Sequence, residues 1–241
     1  MPQLRLADAI RLDKSDVVAL VGGGGKTTAL RRLGSECAQR GERVVLTSTT
    51  KIEPQRDVRT VFVAGPAGLA SLDGPWPVLA VTEDLGIRLR GVPPDWIDAL
   101  VEGGFRVVAQ ADGSGRRPFK APAEHEPVIP RSATLVISVA GIDALGSPLV
   151  EEQVHRASRV AQLSGLAIGA PVTEEAIAHV LLHPEAGGKG VPPDARRVVL
   201  LNKVETEEEH AAARRIALRI REGGVPVVIA SLRRGWIERA G

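Results

Sequence analysis

The sequence predicts an α/β fold, a three-layer sandwich with a mostly parallel central sheet. Two observations predict the architecture. Short β-branched runs alternate with helical stretches along the whole chain, which sets strands in parallel with helices over both faces. A composition of 44% hydrophobic and 25% charged residues supplies a core and lacks the polarity of a disordered chain. No linker or internal repeat interrupts the alternation, so residues 1–241 read as one domain.

Taken in order, 17–21 is a buried strand and 26–40 the helix that follows it, stopped by Gly41. The second strand is 43–47. Further strands are expected at 58–63 and 78–81, with a short helix at 67–72 between them. Residues 94–101 are helical and end at Gly103-Gly104. A strong apolar run, 105–111, leads directly into Asp112-Gly113-Ser114, and 134–139 leads into Gly141-Ile142-Asp143. Helices are expected at 151–163 and 173–182, where Pro184 blocks continuation. Strand 198–201 delivers Asn202-Lys203-Val204-Glu205, and Thr206 with Glu209 forms a capping box that opens a helix to about residue 222. Residues 225–230 are the last expected strand.

The chemistry starts at the first turn. Gly22-Gly23-Gly24-Gly25-Lys26-Thr27-Thr28 follows a strand and opens a helix, the context of a phosphate-binding loop. Glycines allow backbone N–H groups to approach phosphates, and the helix N-terminus adds roughly half a positive charge. In that reading the fold is P-loop NTPase-like, Lys26 reaches the β and γ phosphates of ATP or GTP, and the Thr27 hydroxyl ligates Mg2+. The usual pattern would put its first glycine at Leu20, a departure that leaves the Gly-Lys-Thr ending intact. Mg2+ needs a second anchor at the end of a neighbouring buried strand. Asp112 fits that position, the alternative being an ordinary Asp-Gly turn. Thr49 or Thr50, ending the second strand, would serve near Mg2+ or the γ-phosphate, or else cap a helix.

Asn202-Lys203-Val204-Glu205 resembles the N-K-x-D base-reading motif of GTPases, with Glu205 one methylene longer than the usual Asp. A plain polar turn is the alternative, and ATP or GTP stays open. From Asp112 to Arg131 the chain carries four prolines and no periodicity, a length usually functional or disordered. Arg116, Arg117 and Lys120 are candidates for meeting phosphate or an acidic substrate, and Glu124, His125 and Glu126 for acid–base or metal work. A solvated loop is the plain alternative for each.

Other features exclude classes. A single cysteine, Cys37, rules out an intramolecular disulfide and a cysteine-rich zinc site, and it is expected to be a buried thiol. A net charge of +2, no Tyr and three Phe give little for nucleic acid to bind. No apolar run approaches the roughly 18 residues of a membrane span, and residues 1–15 lack a signal-peptide core, so a cytoplasmic location is expected. All but six of the basic residues are Arg; Lys26, Lys51, Lys120 and Lys203 among the six lysines fall in motifs or in loops after strands.

Seven segments, VGGGGKTT, TSTTKI, ADGSGRRPFKAPAEHEPVIP, VAGIDALGSPL, EEQVHR, GGKGVPPDAR and NKVE, occur in the order found in the YqeC family, which this chain resembles. The family is linked to selenium-cofactor biosynthesis and described as accessory to selenium-dependent molybdenum hydroxylases. The resemblance implies a nucleotide-dependent maturation step, with a molybdenum hydroxylase or its cofactor-maturation proteins as partners. It departs at Gln110, where the family usually has Glu, and at Glu205, where Asp is common. His155 and Arg156 match the family's Val-His-Arg, with no chemistry assigned to them; a buried or helix-start role is expected. Three functions remain open: an NTPase-type accessory factor, an ATP-dependent small-molecule kinase or ligase with its acceptor site in the long loop, and a non-hydrolysing nucleotide switch.

Overall fold

A computed structural model describes residues 4–241. Residues 1–3, the start of the stretch read above as lacking a leader, lie outside the described residues. In chain order the elements are α1 (Leu6–Ala9), β1 (Val18–Gly22), α2 (Lys26–Ala38), β2 (Val44–Ser48), β3 (Lys51–Ile52), β4 (Arg59–Phe62), α3 (Pro66–Ala70), β5 (Val78–Val81), β6 (Glu83–Asp84), β7 (Leu89–Arg90), α4 (Ile97–Glu102), β8 (Arg106–Gln110), β9 (Phe119–Lys120), β10 (Leu135–Gly141), β11 (Val154–His155), α5 (Ala157–Ser164), α6 (Glu174–Leu182), β12 (Arg196–Asn202), α7 (Glu207–Glu222), β13 (Val227–Ser231) and β14 (Trp236–Arg239).

Nine strands form the central sheet in the order β14-β13-β12-β10-β1-β8-β2-β5-β4. All neighbours are parallel except β13 and β14. The sheet and its flanking helices are the predicted α/β three-layer arrangement. Strand side chains alternate between faces, and the core divides accordingly. Leu20, Leu46, Ile137 and Leu200 pack with Leu30 and Leu33 of α2 on one face. On the other, Val199, Leu201 and Ile229 meet α7 through Ile216 and Ile220, while Val45, Val107 and Ala109 meet α3 and α4 through Leu69 and Leu100. Cys37 is fully buried, and burial pushes its thiol up to about 11.

The topology sets the site. From β1 the chain moves through α2 to β2 on one side, and the later strands β10, β12 and β13 lie on the other. Ligands in open α/β sheets bind at such a switch point, beyond the strands' C-terminal ends. That edge carries the glycine loop after β1, Asp112 after β8, and Asn202 at the end of β12.

Several expectations are corrected. The helix expected from 151 begins only at Ala157, because Val154–His155 is extended and pairs with Phe119–Lys120. The 112–131 segment is therefore not a structureless, solvated loop. Phe119 is buried against Val154 and Ala140, and Ile129 packs over Ala19, Val21 and Ala111, small residues that leave it room. Residues 225–230 do not form the last strand, since β14 returns antiparallel along β13. Helix α1 and the three-stranded sheet β3-β7-β6 were not expected either. The capping box of Thr206 and Glu209 is present as expected.

Candidate functional site

The glycine loop is clamped between two other stretches of backbone. Gly23 N–H donates to Val139 O at 2.9 Å, and Gly24 N–H donates to Arg117 O at 3.1 Å. Gly22 and Gly24 have φ of +95° and +76°, and a Cβ on either would overlap backbone of Val139 or of Gly141. Glycine is required there by close packing as well as by conformation. Thus the sequence-based picture, in which the loop's amides all face a ligand, holds only in part. The amides of Gly25, Lys26, Thr27 and Thr28 have no protein partner among the described residues. They are the four orphan donors of the 13-residue helix α2, and they supply its positive end.

Gly25, Lys26 and Thr27, which carry three of those donors, line a cleft of about 170 Å³. Its lining has six cationic side chains, Lys26, Lys51, Arg88, Arg116, Arg117 and Lys203, against the two carboxylates Glu53 and Asp112. A concave site with this balance favours a multiply charged anion. Arg116 is held by Glu53 at 2.8 Å and Lys203 by Asp143 at 2.7 Å, both exposed pairs. Arg117 donates to the carbonyl of Glu151 at 3.0 Å. Lys51 and Arg88 have no side-chain partner among the described residues.

Lys26 is folded back. Its Nζ donates to Gly22 O and lies 3.1 Å from Asp112 Oδ1. Burial lowers its pKa, an effect that the charge of Asp112 opposes but does not cancel. Asp112 accepts from Gly22 N–H at 3.0 Å and pairs with Lys120 at 2.9 Å through Oδ2. Its Oδ1 is buried and, despite the nearby ammonium, has no hydrogen bond. Thr27 Oγ1 accepts from Gln110 Nε2 at 3.1 Å.

A cation-coordinating role is compatible with these residues. The buried carboxylate oxygen without a hydrogen bond and the hydroxyl of Thr27 are hard oxygen donors of the type that Mg2+ takes, few in number because its other ligands are water and phosphate. Among the described residues no cluster of three His, Cys, Asp or Glu side chains forms a protein-only metal cage.

Beneath the cleft, charge is neutralised locally. Lys120 Nζ contacts Glu126 at 2.6 Å and the carbonyl of Gly113 at 2.5 Å, and Arg156 meets Glu126 at 2.8 Å. Burial alone would raise the Glu126 pKa, but the hydrogen bonds and charges of Lys120 and Arg156 hold it at about 2. His155, half-buried beside them, is held below its ordinary value by burial and then by the charges of Arg156 and Lys120. Lys120 and Glu126 are therefore structural partners rather than the substrate-facing groups expected of a solvated loop.

Not every expected residue reaches the cleft. Thr49 Oγ1 donates to Val128 O at 2.6 Å and lines a separate cavity with Thr50 and His125. It is displaced from the predicted γ-phosphate position because its strand ends with hydrogen bonding to β8, through Thr49 N–H to Gln110 O at 2.9 Å. Thr28 is exposed on the far side of the helix start. Asn202 is buried, donating to Gly24 O at 2.9 Å and accepting from Leu232 N–H at 3.1 Å. It fastens the glycine loop to the sheet. Glu205 is paired with Arg234 at 3.0 Å, leaving Lys203 as the member of its motif that lines the cleft. Arg88 carried no sequence signal, and Gln110 was marked only as a departure from the family pattern.

A family model described as "YqeC protein" matches residues 18–158. The chain is also 35% identical over 209 residues to the "Uncharacterized protein YqeC" of Escherichia coli (strain K12), a match covering 84% of this chain and 81% of that protein. The chain belongs to the YqeC family. The family match includes the glycine loop, Asp112 and the long segment clamped over the loop, and stops before Asn202.

Proposed function

We propose that the chain binds a nucleoside triphosphate, ATP or GTP, with Mg2+ at the glycine loop, and that it works as an NTPase-type accessory factor. One observation carries the reading: three unpartnered amides at the helix start, those of Gly25, Lys26 and Thr27, belong to residues lining a cleft whose side chains are predominantly cationic. In the proposed complex Lys26 leaves Gly22 for the β and γ phosphates, and Thr27 with Asp112 would hold the metal. Mg2+ would supply charge neutralisation between the terminal phosphates. Gln110, donating to Thr27 Oγ1, would orient that hydroxyl. The buried Asn202 favours no particular base, since its amide is engaged within the protein.

The proposed setting is a maturation step for selenium-dependent molybdenum hydroxylases, as the resemblance of the sequence motifs implies. The rival small-molecule kinase or ligase draws support from a second cavity that shares Lys51, Arg88 and Gly113 with the cleft. Calorimetric titration with ATP and with GTP, with and without Mg2+, tests the binding. Mg2+-dependent binding that is lost in Lys26→Ala is the expected result, and binding of neither nucleotide would overturn it. Turnover measured alone and with a molybdenum hydroxylase then separates the readings: stimulation by the hydroxylase is expected of an accessory factor.

A further inference from the structure

Lys51, Arg88 and Gly113 of the phosphate cleft also line a second cavity of about 760 Å³. The two have different walls. Val92, Pro93, Trp96 and Val128 give the second cavity an apolar side with one aromatic ring, and Lys51, Arg88 and Arg90 give it a cationic one. Glu126 also lines it, but that carboxylate is neutralised by Lys120 and Arg156. Arg90 is engaged by Glu83 at 2.7 Å. Arg88 is half-buried and, like Lys51, has no counter-charge among the described residues. Its guanidinium is therefore free to meet an anion, and its planar fork suits a carboxylate or phosphate.

We propose that this cavity binds a second small ligand, an organic anion with a flat apolar body, whose acidic group is held by Lys51 and Arg88 and whose body lies against Trp96. The hydroxyl of Thr49 is tied to Val128 O and that of Thr50 to Ser48, so the residues defining the cavity's charge are the cations of the small sheet. Because Lys51 and Arg88 line both spaces, the acidic group would sit beside the terminal phosphate of a nucleotide in the first cleft. That juxtaposition rests on the nucleotide reading; the affinity of the cavity for an aromatic anion does not.

Calorimetric titration of the full chain with phenyl phosphate and benzoate, beside benzyl alcohol and benzylamine, tests the proposal. The two anions are expected to bind and the alcohol and amine not to. Arg88→Ala and Trp96→Leu should each weaken phenyl phosphate binding tenfold or more. Equal binding of benzylamine, no binding of either anion, or an affinity unchanged in both variants would overturn it. If phenyl phosphate binds as expected while neither ATP nor GTP does, the nucleotide reading fails and this one stands. If nucleotides bind and the aromatic anions do not, the reverse holds.

Discussion

Lys26 and Asp112 are within 3.1 Å of each other, so the cation expected to hold phosphate is paired with the carboxylate expected to hold metal. Lys120 approaches the same carboxylate from the other side at 2.9 Å. Neutralising the carboxylate leaves the buried Lys26 without a counter-charge and Lys120 with Glu126 alone. Asp112→Asn should therefore lower stability by roughly 3–5 kcal/mol, the range for breaking a buried pair, as read by urea denaturation. A loss below about 1 kcal/mol would mean that the pair is dispensable to the fold.

A second expectation concerns protons. Burial depresses the Lys26 pKa in the free protein, and a triphosphate beside it would raise it. Nucleotide binding should then take up protons as pH rises through the depressed Lys26 value. Calorimetry in two buffers of different ionisation enthalpy measures this directly. Proton release, or none at any pH up to 10, would contradict a binding role for Lys26.

Asn202 separates two roles by experiment. A base-reading amide would change the preference between ATP and GTP, whereas an amide that fastens the loop would change both affinities alike. Its bonds to Gly24 O and Leu232 N–H predict the second outcome. Asn202→Ala should cost about 2 kcal/mol of stability, since two buried groups lose their partners, and should weaken both nucleotides by the same factor.

Glu126 sets an acid limb for stability. Its folded pKa of about 2 lies below the ordinary 4.5, so the folded state binds its proton less readily than the unfolded one. The contribution is complete above about pH 4.5 and is lost as pH falls through that value toward 2. Glu126→Gln should remove roughly 2 kcal/mol at pH 7 and flatten the stability profile between pH 4.5 and 2. An unchanged slope there would place the acid sensitivity in other carboxylates.

The sheet was legible because buried parallel strands are continuous apolar runs, as Val18 to Val21 shows, and because Thr206 with Glu209 marks its helix start by a local rule. Strands of two residues have no such mark. Phe119–Lys120 and Val154–His155 pair across 35 positions, and nothing within either segment announces the other. The positions of Lys26 and Thr27 at the cleft followed from their motif. The diversion of Thr49, the burial of Lys120 and the contribution of Arg88 depend on which backbone atoms come close after folding, information that local spacing does not carry.

The clamp on the glycine loop also bears on which changes the chain would survive. At Gly22 and Gly24 the obstacle is the main chain of Val139 and Gly141, which no choice of neighbouring side chain can thin. Every replacement there should fail together, small residues included. The cations at the rim are different, because each stands on its own side chain and can be exchanged singly. A saturation library should accordingly divide sharply, barren at the two glycines and permissive at Lys51, Arg88 and Arg116, so ligand preference can drift at the rim while the cradle stays fixed.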